Sequence, residues 1–303
     1  MSRADRTHRG AEPRETEDGS RSAQSPPPEW IVNARTALSG RRVGRFIEFY
    51  SSAASTMPLA RRLIETRGDE AAGGVIIADE QTAGRGRLQR SWVAPPGRGL
   101  LGSYILCGDL LPEPPSQAVM LAGLAVLDAV RHCCPQGDGR FRLKWPNDVI
   151  AIERGGPVKL AGILVETVFN QDALRGLILG IGINVNQRAD ELPATRRGGL
   201  PPSSLSMACG QTAIDRGELL AALCRALDQL CAPASRLPAE TVHARWERAL
   251  FGLGAVVTAP GATGPVRGRA AGTTPDGALL VHTDGGDPLE IHSGDVVFEW
   301  NTA

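Results

Sequence analysis

The stretch "FRLKWPNDVIAIERGGPVKLAGILVETVFNQDALRGLILGIGINVN", residues 141–186, decides how the chain is built. It strings together four β-rich runs, FRLKW, VIAIE, KLAGILVETVF and LRGLILGIGINVN, with turn residues between them. Outward from it, VGRFIEFY (43–50), GVIIAD (74–79) and LGSYILC (101–107) read as further strands. Helices alternate with them. PLARRLIETRG (58–68) has Pro58 in its first turn and Gly68 at its end. SQAVMLAGLAVLDAVRHC (116–133) is a long apolar helix opened by Ser116 as its N-cap. ELLAALCRALDQLC (218–231) sets leucines at helical spacing, and Asp215 and Glu218 stand ahead of it as in a capping box.

At "LFGLG", 250–254, the character changes. The remaining runs are short, alternating and broken by Gly, Pro and Asp-Gly, the pattern of a small β-barrel. At the other end, residues 1–28 hold almost no large apolar side chains and close on three prolines. Such a segment cannot bury enough surface to offset its ordering entropy, so it reads as a disordered tail. Three parts follow: a tail (1–28), an α+β body (29–250) and a β-barrel (251–303).

Composition removes several classes. The chain has 303 residues, 33 Lys+Arg against 33 Asp+Glu, and 42% hydrophobic content. Neutrality argues against a global basic footprint for nucleic acid or membrane. No apolar run approaches the roughly 20 residues that span a bilayer, and the polar N-terminus has no signal-peptide core. The six cysteines show neither metal nor disulfide spacing, which points to core thiols in a reduced, cytoplasmic setting. The histidines are scattered, and Walker A and nucleophile-elbow sequences are missing.

Chemistry concentrates in QTAGRGRLQRSW (81–92), KWPND (144–148), KLAGILVE (159–166) and GIGINVN (180–186). Arg85, Arg87 and Arg90 supply guanidinium forks beside Gly84 and Gly86, where backbone N–H groups can approach an anion. An isolated R-G-R triplet fits a solvated basic loop equally well. In KWPND, Pro146 stiffens a turn from which Lys144 and Asp148 project, with a strand end and a core Trp145 as the plainer alternative. Alternation along 159–166 places Lys159 with Ala161, Ile163 and Val165 on one face, and Gly162 with Leu164 on the other. Asn184 and Asn186 share a face and need polar partners.

Taken in order and at their separations, STMPLA (55–60), DEQTAGRGRLQRSW (79–92), KWPND, KLAGILVE and GIGINVN resemble the biotin–protein ligases, over roughly residues 43–300. The resemblance implies a mixed or antiparallel sheet with flanking helices, like class II aminoacyl-tRNA synthetases, and a C-terminal SH3-like barrel. It implies ligation of biotin, through biotinyl-5′-AMP, to one lysine of a carboxyl carrier domain. Biotin would meet Ser55, Thr56, Met57, Gln81, Arg85, Gly86, Arg87 and Lys159. ATP would meet Arg85, Arg87, Arg90, Lys144, Asn147 and Asn184, with Mg²⁺ brought by the nucleotide near Asp148. Lys159, Arg87, Lys144 and Asp148 would carry the chemistry, and Trp92 and Trp145 would be packing walls.

Two departures stand out. Met57 replaces an Asn common in the family, and Gln89 replaces the last glycine of the loop, which limits positive φ there. Some members carry an N-terminal winged helix; residues 29–42 are too few for one, so no nucleic-acid partner is expected. A homodimer is among the oligomeric forms the family implies. The alternatives are a lipoate–protein ligase of the same fold, or a nucleic-acid module using Arg85, Arg87 and Arg90.

Overall fold

The computed structural model describes residues 27–299, apart from 197, 262–263 and 284–285. Residues 1–26 of the expected tail lie outside the described residues. Helix α1 (Glu29–Ala37) follows Pro28. The seven strands of the main sheet are β1 (Phe46–Tyr50), β2 (Gly74–Ala78), β3 (Gly99–Cys107), β4 (Phe141–Lys144), β5 (Asp148–Glu153), β6 (Gly156–Asn170) and β7 (Ala173–Asn184). Their spatial order is β1-β2-β3-β7-β6-β5-β4. β1 and β2 run parallel, joined by helix α2 (Thr56–Arg67), and every other neighbour is antiparallel. The mixed sheet expected from the sequence is therefore present.

Helix α3 (Ala118–Cys133) packs on β4 to β7 and against α5 (Arg216–Cys231), which in turn packs on α1. The side chains between them, among them Leu121, Leu124, Phe141, Leu220 and Leu227, are buried. Each such burial stabilises by about 1.5–3 kcal/mol before entropy is counted. Asp215 caps α5 by accepting from the Gly217 and Glu218 amides at 2.7 and 3.2 Å. The reciprocal half of a capping box is not made, because Glu218 turns to His132 and Arg225. Ser116 is likewise not the cap of α3: residues 115–117 form a 3₁₀ turn ahead of the helix.

Helices α4 (Leu205–Cys209) and α6 (Ala239–Ala249) lead to the second sheet. That sheet comprises β8 (Val256–Gly261), β9 (Gly264–Thr273), β10 (Leu279–His282), β11 (Leu289–Ile291) and β12 (Val297–Glu299). It is antiparallel, ordered β11-β10-β9-β8-β12. It is anchored on the body by Trp145 Nε1 donating to Gly277 O at 2.9 Å and by Glu247 accepting from the Thr273 amide at 2.7 Å.

The cysteine reading needs correction. Cys134 and Cys209 are joined as a disulfide with Cα atoms 5.9 Å apart. They lie 75 residues apart in sequence, so the folding of α4 beside the end of α3, not any spacing rhythm, brings them together. The remaining cysteines are free, and burial pushes the Cys107 and Cys133 thiols up to about 11.

Candidate functional site

A patch of the main sheet on β6 and β7 carries glycines in place of side chains. Gly182 on β7 pairs with Gly162 on β6, and Gly180 lies two residues along the same strand. A β-carbon at Gly182 would lie 2.6 Å from Trp92 Cε2, and one at Gly162 would lie 2.8 Å from Trp92 Cζ3. At Gly180 it would meet Met57 Sδ at 2.8 Å. The three glycines thus let Trp92 and Met57 lie down on the sheet, and beside them opens a cavity of about 260 Å³.

Its polar end is built by the start of α2. Ser55 occupies the N-cap, so Ser55, Thr56 and Met57 present helix-terminal groups rather than sitting on a loop. Gln81 Oε1 accepts from the Thr56 amide at 2.9 Å, and Thr56 Oγ1 shares a 2.7 Å hydrogen bond with Ser103 Oγ. Ser103 was not foreseen. Its place among apolar neighbours in LGSYILC was the available signal, since a buried hydroxyl must find a partner.

The opposite end is cationic. KWPND is the turn of the β4–β5 hairpin, in which Lys144 and Asp148 are directly paired. Between β5 and β6 the register shifts by one, so that Val149 faces Ala161 but Ile150 faces Lys159. Leu160 is the extra residue of this bulge. The alternation expected along 159–166 therefore breaks, and Lys159 joins the face of Gly162 and Asp148 instead of that of Ala161 and Ile163. As a result Lys159 Nζ sits 2.7 Å from Asp148 Oδ1 and 5.5 Å from the centre of the Trp92 ring. Asn147 Nδ2 donates to Ile163 O at 2.6 Å, which holds the turn over the sheet.

The arginine loop closes this end as a hairpin. The Gly86 amide donates to Arg90 O at 2.7 Å, the Trp92 amide to Gly84 O at 2.9 Å, and Arg85 bridges to Ser91. Leu88 and Gln89 make its tip at φ 54° and 59°. Gln89 thus adopts the left-handed conformation that its side chain was expected to restrict. Arg87 donates to Asn147 Oδ1 at 3.2 Å, and Arg85 faces Glu166 at 3.8 Å.

The second sheet completes the wall, through residues that carry no sequence signal of a site. Arg90 is paired with Asp295, Arg87 donates to Gly294 O at 3.5 Å, and Lys144 Nζ donates to Val296 O at 3.0 Å. Burial lowers the pKa of Arg87 and of Lys144, against the opposing pull of Asp295 and Asp148. Burial also acts to raise that of Asp295, but the Arg90 hydrogen bond and the charges of Arg90, Arg87 and Lys144 prevail and hold the carboxyl below its ordinary value.

Residues 51–184 match the biotin/lipoate A/B protein ligase family, and residues 252–299 match the biotin protein ligase C-terminal domain. A bifunctional ligase/repressor BirA of Bacillus spizizenii is 31% identical over 263 residues, spanning 86% of this chain and 77% of the relative. The chain belongs to the biotin protein ligase family. A biotin–[acetyl-CoA-carboxylase] ligase of Mycobacterium tuberculosis is 34% identical over 235 residues, 76% of this chain and 80% of the relative. The biotin protein ligase of Aquifex aeolicus, solved with biotin and ATP, superposes with TM-score 0.63 at 28% identity, covering 84% of this chain and 99% of that one.

The residues expected to meet biotin or ATP all line this cavity: Ser55, Thr56, Met57, Gln81, Arg85, Gly86, Arg87, Arg90, Lys144, Asn147, Asp148, Lys159 and Asn184. Asn184 does so with its amide already engaged, by Ser203 O at 3.1 Å and Gln187 at 3.1 Å. Asn186 is turned away and closes a two-way bond with the Ile214 backbone. Arg196 also lines the cavity and was not foreseen. Among the described residues no three His, Cys, Asp or Glu side chains cluster as metal ligands, and no helix is long and apolar enough to cross a membrane.

Proposed function

We propose that this chain is a biotin–protein ligase that activates biotin with ATP and transfers it to a lysine of a carboxyl carrier domain. The observation that carries the reading is the division of one cavity into a helix-capped polar end, an apolar glycine-and-tryptophan floor and a cationic end. A small ring with hydrogen-bonding edges, an aliphatic arm and a carboxylate fits those three parts in that order. Ser55, Thr56 and Gln81 would bind the ring, which needs donors and acceptors. Trp92, Met57 and the bare sheet would flank the arm.

In the first step a biotin carboxylate oxygen attacks the α-phosphorus, the bond to the β-phosphate oxygen breaks, and pyrophosphate leaves. Two anions approach and negative charge builds, so fixed cations aimed at the reacting centre lower the barrier. Lys159 would sit at the carboxyl and α-phosphate, with Lys144, Arg87 and Arg90 along the phosphates, and Arg85 and Gly86 in the closing loop. Asp148 is the carboxylate suited to a phosphate-bound Mg²⁺, which supplies charge neutralisation when present. In the second step the carrier lysine amine attacks the acyl carbon, the bond to the AMP oxygen breaks, and the amine gives up a proton. The closed arginine hairpin keeps water from the mixed anhydride.

The arginines of this loop line one small cavity and each meets an acceptor of this chain, Glu166, Gly294 or Asp295, which favours a small anion over nucleic acid as their partner. The match to the biotin ligase C-terminal domain favours biotin over lipoate. The test mixes protein, MgATP, a carrier domain and either acid, then reads intact mass. Addition of one biotinyl group to one lysine is expected; no product on a competent carrier, or lipoyl product alone, would refute the reading.

A further inference from the structure

Three consecutive residues of the C-terminal sheet occupy three cations of the site. Arg90 is paired with the Asp295 carboxylate, both guanidinium nitrogens of Arg87 lie 3.5 Å from Gly294 O, and Lys144 Nζ lies 3.0 Å from Val296 O. A carboxylate flanked by carbonyl oxygens offers these cations the same acceptor chemistry as a polyphosphate. It cannot share the space with one, because like charges at close range repel.

We propose that the 294–296 turn is a tethered stand-in for the nucleotide's polyphosphate, which must displace it, so that Asp295 sets the affinity for ATP. This rests on the ligase reading above. The turn is the part of the wall free to yield. It links two three-residue strands, β11 and β12, and Gly294 stands at φ 112°. The far side of the same sheet is fixed to the body at Gly277 and Thr273, where Thr273 also meets Glu247 Oε1 and His243 at 2.9 Å. Asp148 and Glu166, the other carboxylates on cations of the site, are held within the main sheet on β5 and β6, paired to Lys159 and Arg85. Displacement is thus a local movement of the turn, with the domain staying docked.

Asp295→Asn tests it. The Arg90–Asp295 side chains are 40% and 45% exposed, so the pair contributes what a half-exposed ion pair does, and removing it should tighten polyphosphate binding about two- to fivefold. Calorimetry with inorganic tripolyphosphate should give a lower Kd for the variant by that factor, and the KM for ATP in pyrophosphate exchange should fall alongside, with the KM for biotin unchanged. Asp295→Glu, which restores the charge, should return the wild-type values. In the wild type, tripolyphosphate should increase amide exchange in 292–296. An unchanged or weaker Kd in Asp295→Asn with its melting curve intact, or protection of 292–296 by tripolyphosphate, would overturn the proposal. Tripolyphosphate binding that behaves as expected in a chain that makes no biotinyl-AMP would instead refute the ligase reading and leave the displaceable turn standing.

Discussion

Lys159→Met separates the ion pair that Lys159 makes from the catalytic role proposed for it. The substitution keeps an unbranched stem of similar length and removes the charge. In the folded chain the ammonium lies 2.7 Å from Asp148 Oδ1, with side chains 30% and 17% exposed, and also faces the Trp92 ring at 5.5 Å. A fully exposed pair is worth about 0–1 kcal/mol, and breaking a fully buried one costs about 3–5 kcal/mol. This pair lies between, so the variant should lose about 1–2 kcal/mol, roughly 2–8 °C in Tm. The rate should fall much further, because a fixed charge at the reacting phosphorus is worth about 100- to 1000-fold. Adding Asp148→Asn removes the carboxylate left without its cation. The double variant should regain most of the melting temperature and none of the lost biotin-dependent pyrophosphate exchange. A fall in exchange of less than tenfold in Lys159→Met, or a double variant that regains rate together with stability, would refute the role given to Lys159.

Gly182→Ala should drive Trp92 off the sheet, since the new carbon would sit 2.6 Å from the ring; a shifted tryptophan emission with at least tenfold weaker adenylation is expected, for an overpacking cost of about 1–3 kcal/mol. Gln89→Gly should relieve about 1 kcal/mol of left-handed strain at φ 59° and give back about half of that as unfolded-chain entropy, so a small rise in Tm is expected, and a fall would show that Gln89 is held by more than its backbone. The Asp295 carboxyl is held below its ordinary value, so its docking onto Arg90, Arg87 and Lys144 contributes fully above the ordinary carboxylate range and is lost as pH falls through the lower folded value. Protection of the 292–296 amides, taken relative to their intrinsic exchange rate at each pH, should therefore fall on acidification in the wild type and stay level in Asp295→Asn.

What could be read from the chain follows physical range. Strands and helices with a continuous apolar pattern, such as 116–133 and 159–169, were legible because period and burial agree along a single element. The motif residues were legible because each short stretch holds its own turn chemistry. Two features were not. The register shift at Leu160 depends on how β5 pairs with β6, and it moved Lys159 to the other face of its strand. Asp295 lies in SGDVV, an ordinary turn, and becomes part of the site only because the second sheet docks at Trp145, Glu247 and His243. Cys134 and Cys209 belong with these cases, as partners that tertiary packing selects.

Docking of the second sheet also answers how so many cations can share one small cavity without substrate. Arg87 and Lys144 are buried enough for desolvation to disfavour their charge, and mutual repulsion acts the same way. Left without acceptors, such groups would swing to solvent, and substrate would then have to bear the ordering entropy of each long side chain. Here five of the cations are held by internal acceptors: Asp148 for Lys159, Val296 O for Lys144, Asn147 and Gly294 for Arg87, Asp295 for Arg90 and Glu166 for Arg85. Substrate binding becomes an exchange of acceptors around cations already in place. Such an exchange gives up part of the raw affinity and keeps the geometry, and it is geometry at the reacting phosphorus that favours the transition state over the bound substrates.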